Sequence, residues 1–278
     1  MLTNQTVALL CASAALSLAS TASASDPWAD RVIEYNAGTG GSVGYDDPLT
    51  ALGSPERYTG EGVFPASVTP FNSPWAADEI VSIGEGGWLT VAFDQAVTND
   101  ALNPFGLDLL IFGNPFYGAT GDPANPVVSG LFAEGGSVEV SANGIDWTLV
   151  PGAAADGGFP TLGFTDETNP FGGDPGTLPT DFTKPVNPDF DPTGLTLSEL
   201  IAGHDGSGGG LGIDIGALGL SQISYVRISS ALGSGFTPEI DGFADVSAVP
   251  SPTTLAAFTI GGAMIGRRRR GCREHARS

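Results

Sequence analysis

Cysteine, histidine and lysine are nearly missing from this 278-residue chain, which has two Cys, two His and a single lysine, Lys184. Cys11 and Cys272 lie in the two terminal segments, so the stretch between them offers neither a disulfide nor a thiolate metal site. Positive charge is also scarce. Six of the ten Lys and Arg (Arg267, Arg268, Arg269, Arg270, Arg273 and Arg277) fall in the last twelve residues. Only Arg31, Arg57, Lys184 and Arg227 remain upstream, against all but one of the 31 acidic residues. Such a body repels phosphate, which needs clustered Lys and Arg, and this excludes nucleic acid as its partner. Neither apolar run, Val7 to Ala19 or Thr253 to Gly266, reaches the roughly 20 residues of a full membrane span.

What is present divides the chain into three parts. Residues 1–24 read as a signal peptide for Sec-type export: the apolar run ends in small residues, with Ala22 and Ala24 as the A-x-A cleavage positions. Cys11 follows Leu9-Leu10 rather than a small residue, so no lipidation site is assigned. Residues 248–278 form a second address segment. Val249, Pro250, Ser251 and Pro252 make a short tether, residues 253–266 an uncharged segment, and Arg267, Arg268, Arg269 and Arg270 a basic stop. As a helix the segment would measure about 21 Å and bring the tail into contact with a membrane.

The body, residues 25–247, reads as all-β. Leu89 to Phe93 alternates, Leu107 to Phe112 is apolar on both faces apart from Asp108, and Val138 to Ala142 alternates again. Asn143-Gly144 then predicts a tight hairpin into Ile145 to Val150. Ile223 to Ile228 and Ile240 to Val246 read as the last two strands, and Trp88, Phe93, Phe112 and Trp147 as core. Gly totals 41, concentrated in long Gly/Pro-rich loops. The stretch from Gly152 to Pro192 is expected to wrap over the sandwich and bury its phenylalanines, and the Gly206 to Gly212 run to be a flexible turn. One short helix is expected, because Thr196-Leu197-Ser198-Glu199 is a capping box with an apolar face behind it, ending at Gly203. The architecture expected is a jelly-roll-like β-sandwich with a signal helix before it and a hydrophobic helix after it.

Catalytic chemistry is poorly supplied. The body's one histidine, His204, has Asp205 and Ser207 as sequence neighbours, whereas triads converge from separate elements. No G-x-S-x-G elbow and no phosphate loop occur. Two acidic sets suit calcium as a structural cofactor. Asp189, Asp191, Thr193 and Gly194 begin like a calcium loop, but Glu199 falls eleventh rather than twelfth. Glu239, Asp241 and Asp245 would share one face of a regular strand and concentrate charge there.

Residues 249–270, in that order of tether, apolar segment and arginine cluster, resemble the PEP-CTERM sorting signal of bacterial exported proteins, with Ser251 where the family motif has Glu. The resemblance implies processing by an exosortase and delivery to the cell envelope or extracellular matrix. Val138 to Val150, with Asn143-Gly144 and Trp147, and the strands at Tyr225 to Ile228 and Ile240 to Val246, resemble discoidin-type, galactose-binding-like domains. That resemblance implies a jelly roll whose loops bind sugars, with extracellular polysaccharide as partner.

The expectation is therefore an exported, non-catalytic envelope or matrix protein that binds glycans. The rival is a secreted carbohydrate-active hydrolase using paired carboxylates. An exposed aromatic platform, such as Phe116-Tyr117 or Trp75, would favour the first, and a deep pocket of convergent carboxylates with raised pKa the second.

Overall fold

A computed structural model of the chain describes residues 26–246. The expected signal and tail segments, with Ala22, Ala24, the 249–252 tether and the 267–270 arginines, lie outside the described residues. Among those described, no helix is long and apolar enough to cross a membrane.

The body is all-β, as its alternation predicts. In chain order the strands are β1 (Arg31–Asn36), β2 (Tyr58–Thr59), β3 (Ala66–Ser67), β4 (Val81–Ser82), β5 (Trp88–Thr98), β6 (Leu109–Gly113) and β7 (Phe116–Asp122). They continue with β8 (Asn125–Phe132), β9 (Ser137–Ser141), β10 (Thr148–Leu149), β11 (Leu211–Ile213), β12 (Gln222–Ser229) and β13 (Glu239–Asp245). One sheet runs β1-β5-β12-β9-β10 and the other β11-β6-β13-β4. Chain-successive strands β4, β5 and β6, and again β11, β12 and β13, switch between the sheets, which is the jelly-roll habit. The pairings within both sheets are antiparallel.

The two sheets share one core. Leu89, Val91, Val140, Val226 and Ile228 from the first meet Leu109, Ile111, Ile240 and Phe243 from the second. β6 is apolar on both faces because both are covered. Its other face, Leu110 and Phe112, packs with Phe182, Ala244 and Val246, so the long segment after β10 folds over the outside of the four-stranded sheet. Phe164 and Phe182 of that segment are buried, while Phe171 stays exposed. A third cluster, Phe71, Tyr117, Val128, Leu197 and Leu200, fastens the β7–β8 hairpin to the α-helix α1 (Leu197–His204). α1 starts at the Thr196 capping box as predicted and ends at His204, one residue beyond Gly203, with Asp205 as its left-handed C-cap.

Several local expectations need correction. The hairpin from β9 to β10 closes through residues 142–147 rather than a two-residue turn. Gly144 has positive φ but Asn143 does not, and the Asn143 side chain instead accepts from the Ile145 and Asp146 amides, both at 2.9 Å. The Gly206 to Gly212 run is tightly packed, with Ser207 and Gly208 to Gly210 buried. A Cβ on Gly208 would stand 2.0 Å from Phe182 Cδ1. Trp147 is not core: its ring lies under the Arg227 guanidinium at 3.8 Å. Trp88 is half-buried beside Arg227, Glu34 and Ser229.

Candidate functional site

The site forms where the four-stranded sheet meets the base of the β7–β8 hairpin. Gly113 ends β6 and pairs with Ile240 of β13. Asn114 therefore follows at the same sheet end where Glu239 begins β13. Two residues later Phe116 opens β7, directly opposite Phe132, the last residue of β8. That register stacks the two rings at 5.0 Å with 12° between their planes. Both remain exposed, Phe116 at 40% and Phe132 at 59%. They form one wall of a cleft of about 470 Å³, completed by Ser42, Asn114, Ala133, Glu134, Asp156 and Glu239. Its size lies within the usual range for ligand clefts.

The polar wall is tightly wired. Asn114 Nδ2 donates to Glu239 Oε2 at 2.5 Å, and Ser42 Oγ donates to Glu239 Oε1 at 2.8 Å. Asp156, fully buried, accepts from the Asn114 amide at 3.1 Å and from the Glu239 amide at 3.5 Å. Gly113 makes this approach possible, since a Cβ there would lie 2.6 Å from Asp156 Oδ1. Burial, reinforced by the charges of Glu134 and Glu239, pushes the Asp156 carboxyl up to about 7. Burial also raises Glu239, against the hydrogen bonds from Ser42 and Asn114.

The expected acidic face of β13 is not assembled. The strand bulges between Ile240 and Gly242, which breaks the two-residue alternation. Glu239 turns into the cleft. Asp241 is buried under the loop before β2, where both its oxygens accept from the Glu56 amide. Asp245 sits at the far end, near Asp108 and Asp100, and burial pushes it up to about 7. Among the described residues no group of three His, Cys, Asp or Glu side chains is placed to hold a metal ion. In the other candidate calcium loop, Asp191 caps the Thr193 amide at 3.0 Å and Glu199 accepts from the Thr196 amide and hydroxyl, both at 2.8 Å.

His204 is buried between Phe159 and Phe190, whose rings meet it edge-on. Its Nδ1 lies 3.4 Å from the Ser207 carbonyl, while Nε2 has no hydrogen-bond partner. Burial lowers it to about 4, so near neutrality it is an uncharged packing residue. Its neighbour Asp205 is tied to Lys184 at 2.9 Å.

Of the expected platforms, Phe116 is exposed and Tyr117 is core. Trp75 is 36% exposed, and its ring packs on Gly60. The sequence reading missed Phe132, Glu134, Asp156, Asn114 and Ser42. The Gly and Pro content of residues 116–132 hid the hairpin that brings Phe132 across from Phe116. No protein-family model matches this chain, and neither does any curated protein or solved structure.

Proposed function

We propose that this chain is an exported, non-catalytic component of the cell envelope or extracellular matrix that binds glycan in the Phe116–Phe132 cleft. The stacked, exposed phenyl pair carries the reading. Flat apolar rings beside hydrogen-bonding Ser42, Asn114 and Glu239 suit a sugar ring, which has an apolar face and a polar edge. Replacing both Phe116 and Phe132 by Ala should weaken glycan binding by at least about tenfold, or 1.4 kcal/mol, with the fold retained because neither ring belongs to a core cluster. A glycan array followed by calorimetry on the double variant tests this, and unchanged binding would remove the cleft from consideration.

A hydrolase is the second reading, favoured by the elevated Asp156 beside Glu239 and Glu134. The geometry of the first two argues against it. Asp156 and Glu239 are both held by Asn114, on one wall, whereas glycosidase carboxyls flank the scissile bond from opposite sides. Release of reducing ends from a polysaccharide panel, lost in Asp156→Asn, would favour the hydrolase.

The tail supports the sorting part of the proposal. Cells expressing the chain without residues 249–278 should release the body into the medium, and persistence in the envelope would count against a sorting role.

A further inference from the structure

Resting on the reading of the cleft as a glycan site, we propose that its ligand is cationic: a sugar bearing a free ammonium group, as in a de-N-acetylated aminosugar polymer. The argument begins with what lines the open volume. Its titratable groups are all acids, Glu134, Asp156 and Glu239, set against the stacked Phe116–Phe132 pair. No basic side chain of the described residues is free to balance them. Arg31 pairs with Asp94 at 2.9 Å, and Lys184 pairs with Asp205. Arg227 lies over Trp147 and beside Glu139. Arg57 lies over Phe182 and donates to Gly163 and Thr180. A ligand carrying positive charge would supply the compensation that the protein's own basic side chains do not.

The two walls make complementary demands on that ligand. Carboxylates attract an ammonium group, and an outer face of the stacked Phe116–Phe132 pair attracts the same charge when it lies over the ring. A uronic acid or sulfated sugar would bring like charge to Glu134 and Glu239. A neutral sugar would cover those carboxylates without compensating them.

Asp156 supplies a second readout. Glu134 and Glu239 face it, together with the Asn114 and Glu239 amides, and the carboxyl is partly protonated near neutral pH. An ammonium group bound beside it stabilises the ionised form, so binding expels a proton. A neutral sugar should expel none.

Calorimetry on the full chain at pH 7 tests the inference with a β-linked glucosamine oligomer, its fully N-acetylated counterpart and an oligouronate. The glucosamine oligomer should bind at least about tenfold more tightly than the acetylated one. Its apparent enthalpy should vary with the ionisation enthalpy of the buffer, and both Glu134→Gln and the Phe116/Phe132 double alanine variant should weaken it. Equal or tighter binding of the acetylated or uronate oligomer, abolished by the double variant, would overturn the charge inference and leave the cleft reading intact. Glucosamine binding insensitive to both variants would mean general attraction to an acidic body and overturn the inference. Binding of none of the three would sink the cleft reading with it.

Discussion

At the scale of single residues, a body with four basic side chains places one of them in a demanding position. Arg57 Nη1 donates to the Gly163 carbonyl at 2.6 Å and the Thr180 hydroxyl at 3.0 Å, Nη2 donates to the Thr180 carbonyl at 2.8 Å, and the guanidinium lies 4.0 Å over Phe182. It thereby ties the wrapped segment to the loop that leads into β2. Arg57→Ala removes the partner of the buried Thr180 carbonyl and one of those of the Gly163 carbonyl, and we expect a loss of about 3 kcal/mol, roughly 6–12 °C in melting temperature. Arg57→Lys should recover less than half, because an ammonium group lacks the planar fork that reaches both carbonyls. Thermal melts of the two variants check both values. Gly208 is as constrained by space as Arg57 is by bonding. With Phe182 against its Cα, Gly208→Ala should also lower the melting temperature.

At the scale of elements, the acidic side chains do structural work that basic ones do elsewhere. Long loops expose backbone N–H groups that must be satisfied when buried. Glu79 accepts from the Gly60 amide at 2.7 Å, the Trp75 amide at 3.0 Å, the Ala76 amide at 2.9 Å and the Thr59 hydroxyl at 2.6 Å. Asp108 accepts from the amides of Asp100 and Ile215 and from Asn103 Nδ2. Glu167 accepts from the amides of Thr168 and Asn169 and from the Ser67 hydroxyl. Carboxylates thus fasten the loops of a body that has no disulfide. The helix follows the same logic, its capping box joining Thr196 to Glu199. Thr196→Ala should cost about 1 kcal/mol, read as faster amide exchange across α1 and a modestly lower midpoint in denaturant.

At the scale of the whole molecule, this use of carboxylates sets how stability responds to pH. Burial, with neighbouring acids, raises Glu56, Asp156 and Asp245 to about 7, and raises Asp241 well above its ordinary range. Between about pH 4 and 7 the folded chain therefore holds more protons on these groups than the unfolded chain does. Their contribution to stability falls as pH rises through that window. His204, lowered to about 4 from 6.5, acts in the opposite sense, because the unfolded chain takes up its proton first as pH falls. One histidine is outweighed by four carboxyls and by the repulsion within a chain of net charge −21. Below the window, exposed Asp166, Asp191 and Asp205 lose the hydrogen-bonded stabilisation of their ionised forms. We expect greatest stability near pH 5, with a melting temperature at least about 5 °C above that at pH 8. Added salt should raise the pH 8 value. A scan that instead climbs steadily to pH 8 would show that these carboxyls are ionised without strain in the fold.

The sequence by itself determined the class of fold, the both-faces burial of β6, the start of α1 and the absence of cysteine from residues 25–247. Each of these rests on neighbours along the chain: alternation, a continuous apolar run, a Thr and Glu three residues apart, a missing residue type. The cleft depended on tertiary structure, because its parts meet across long separations, Ser42 with Glu239 over 197 positions and Asn114 with Glu239 over 125. A single bulge at Ile240–Gly242 sent the three acids of β13 into separate surroundings, and a hairpin register set Phe132 against Phe116. Local pattern says which way a side chain points along an ideal strand. Where the strand bends, and which distant loop covers it, follow only from how the whole core packs.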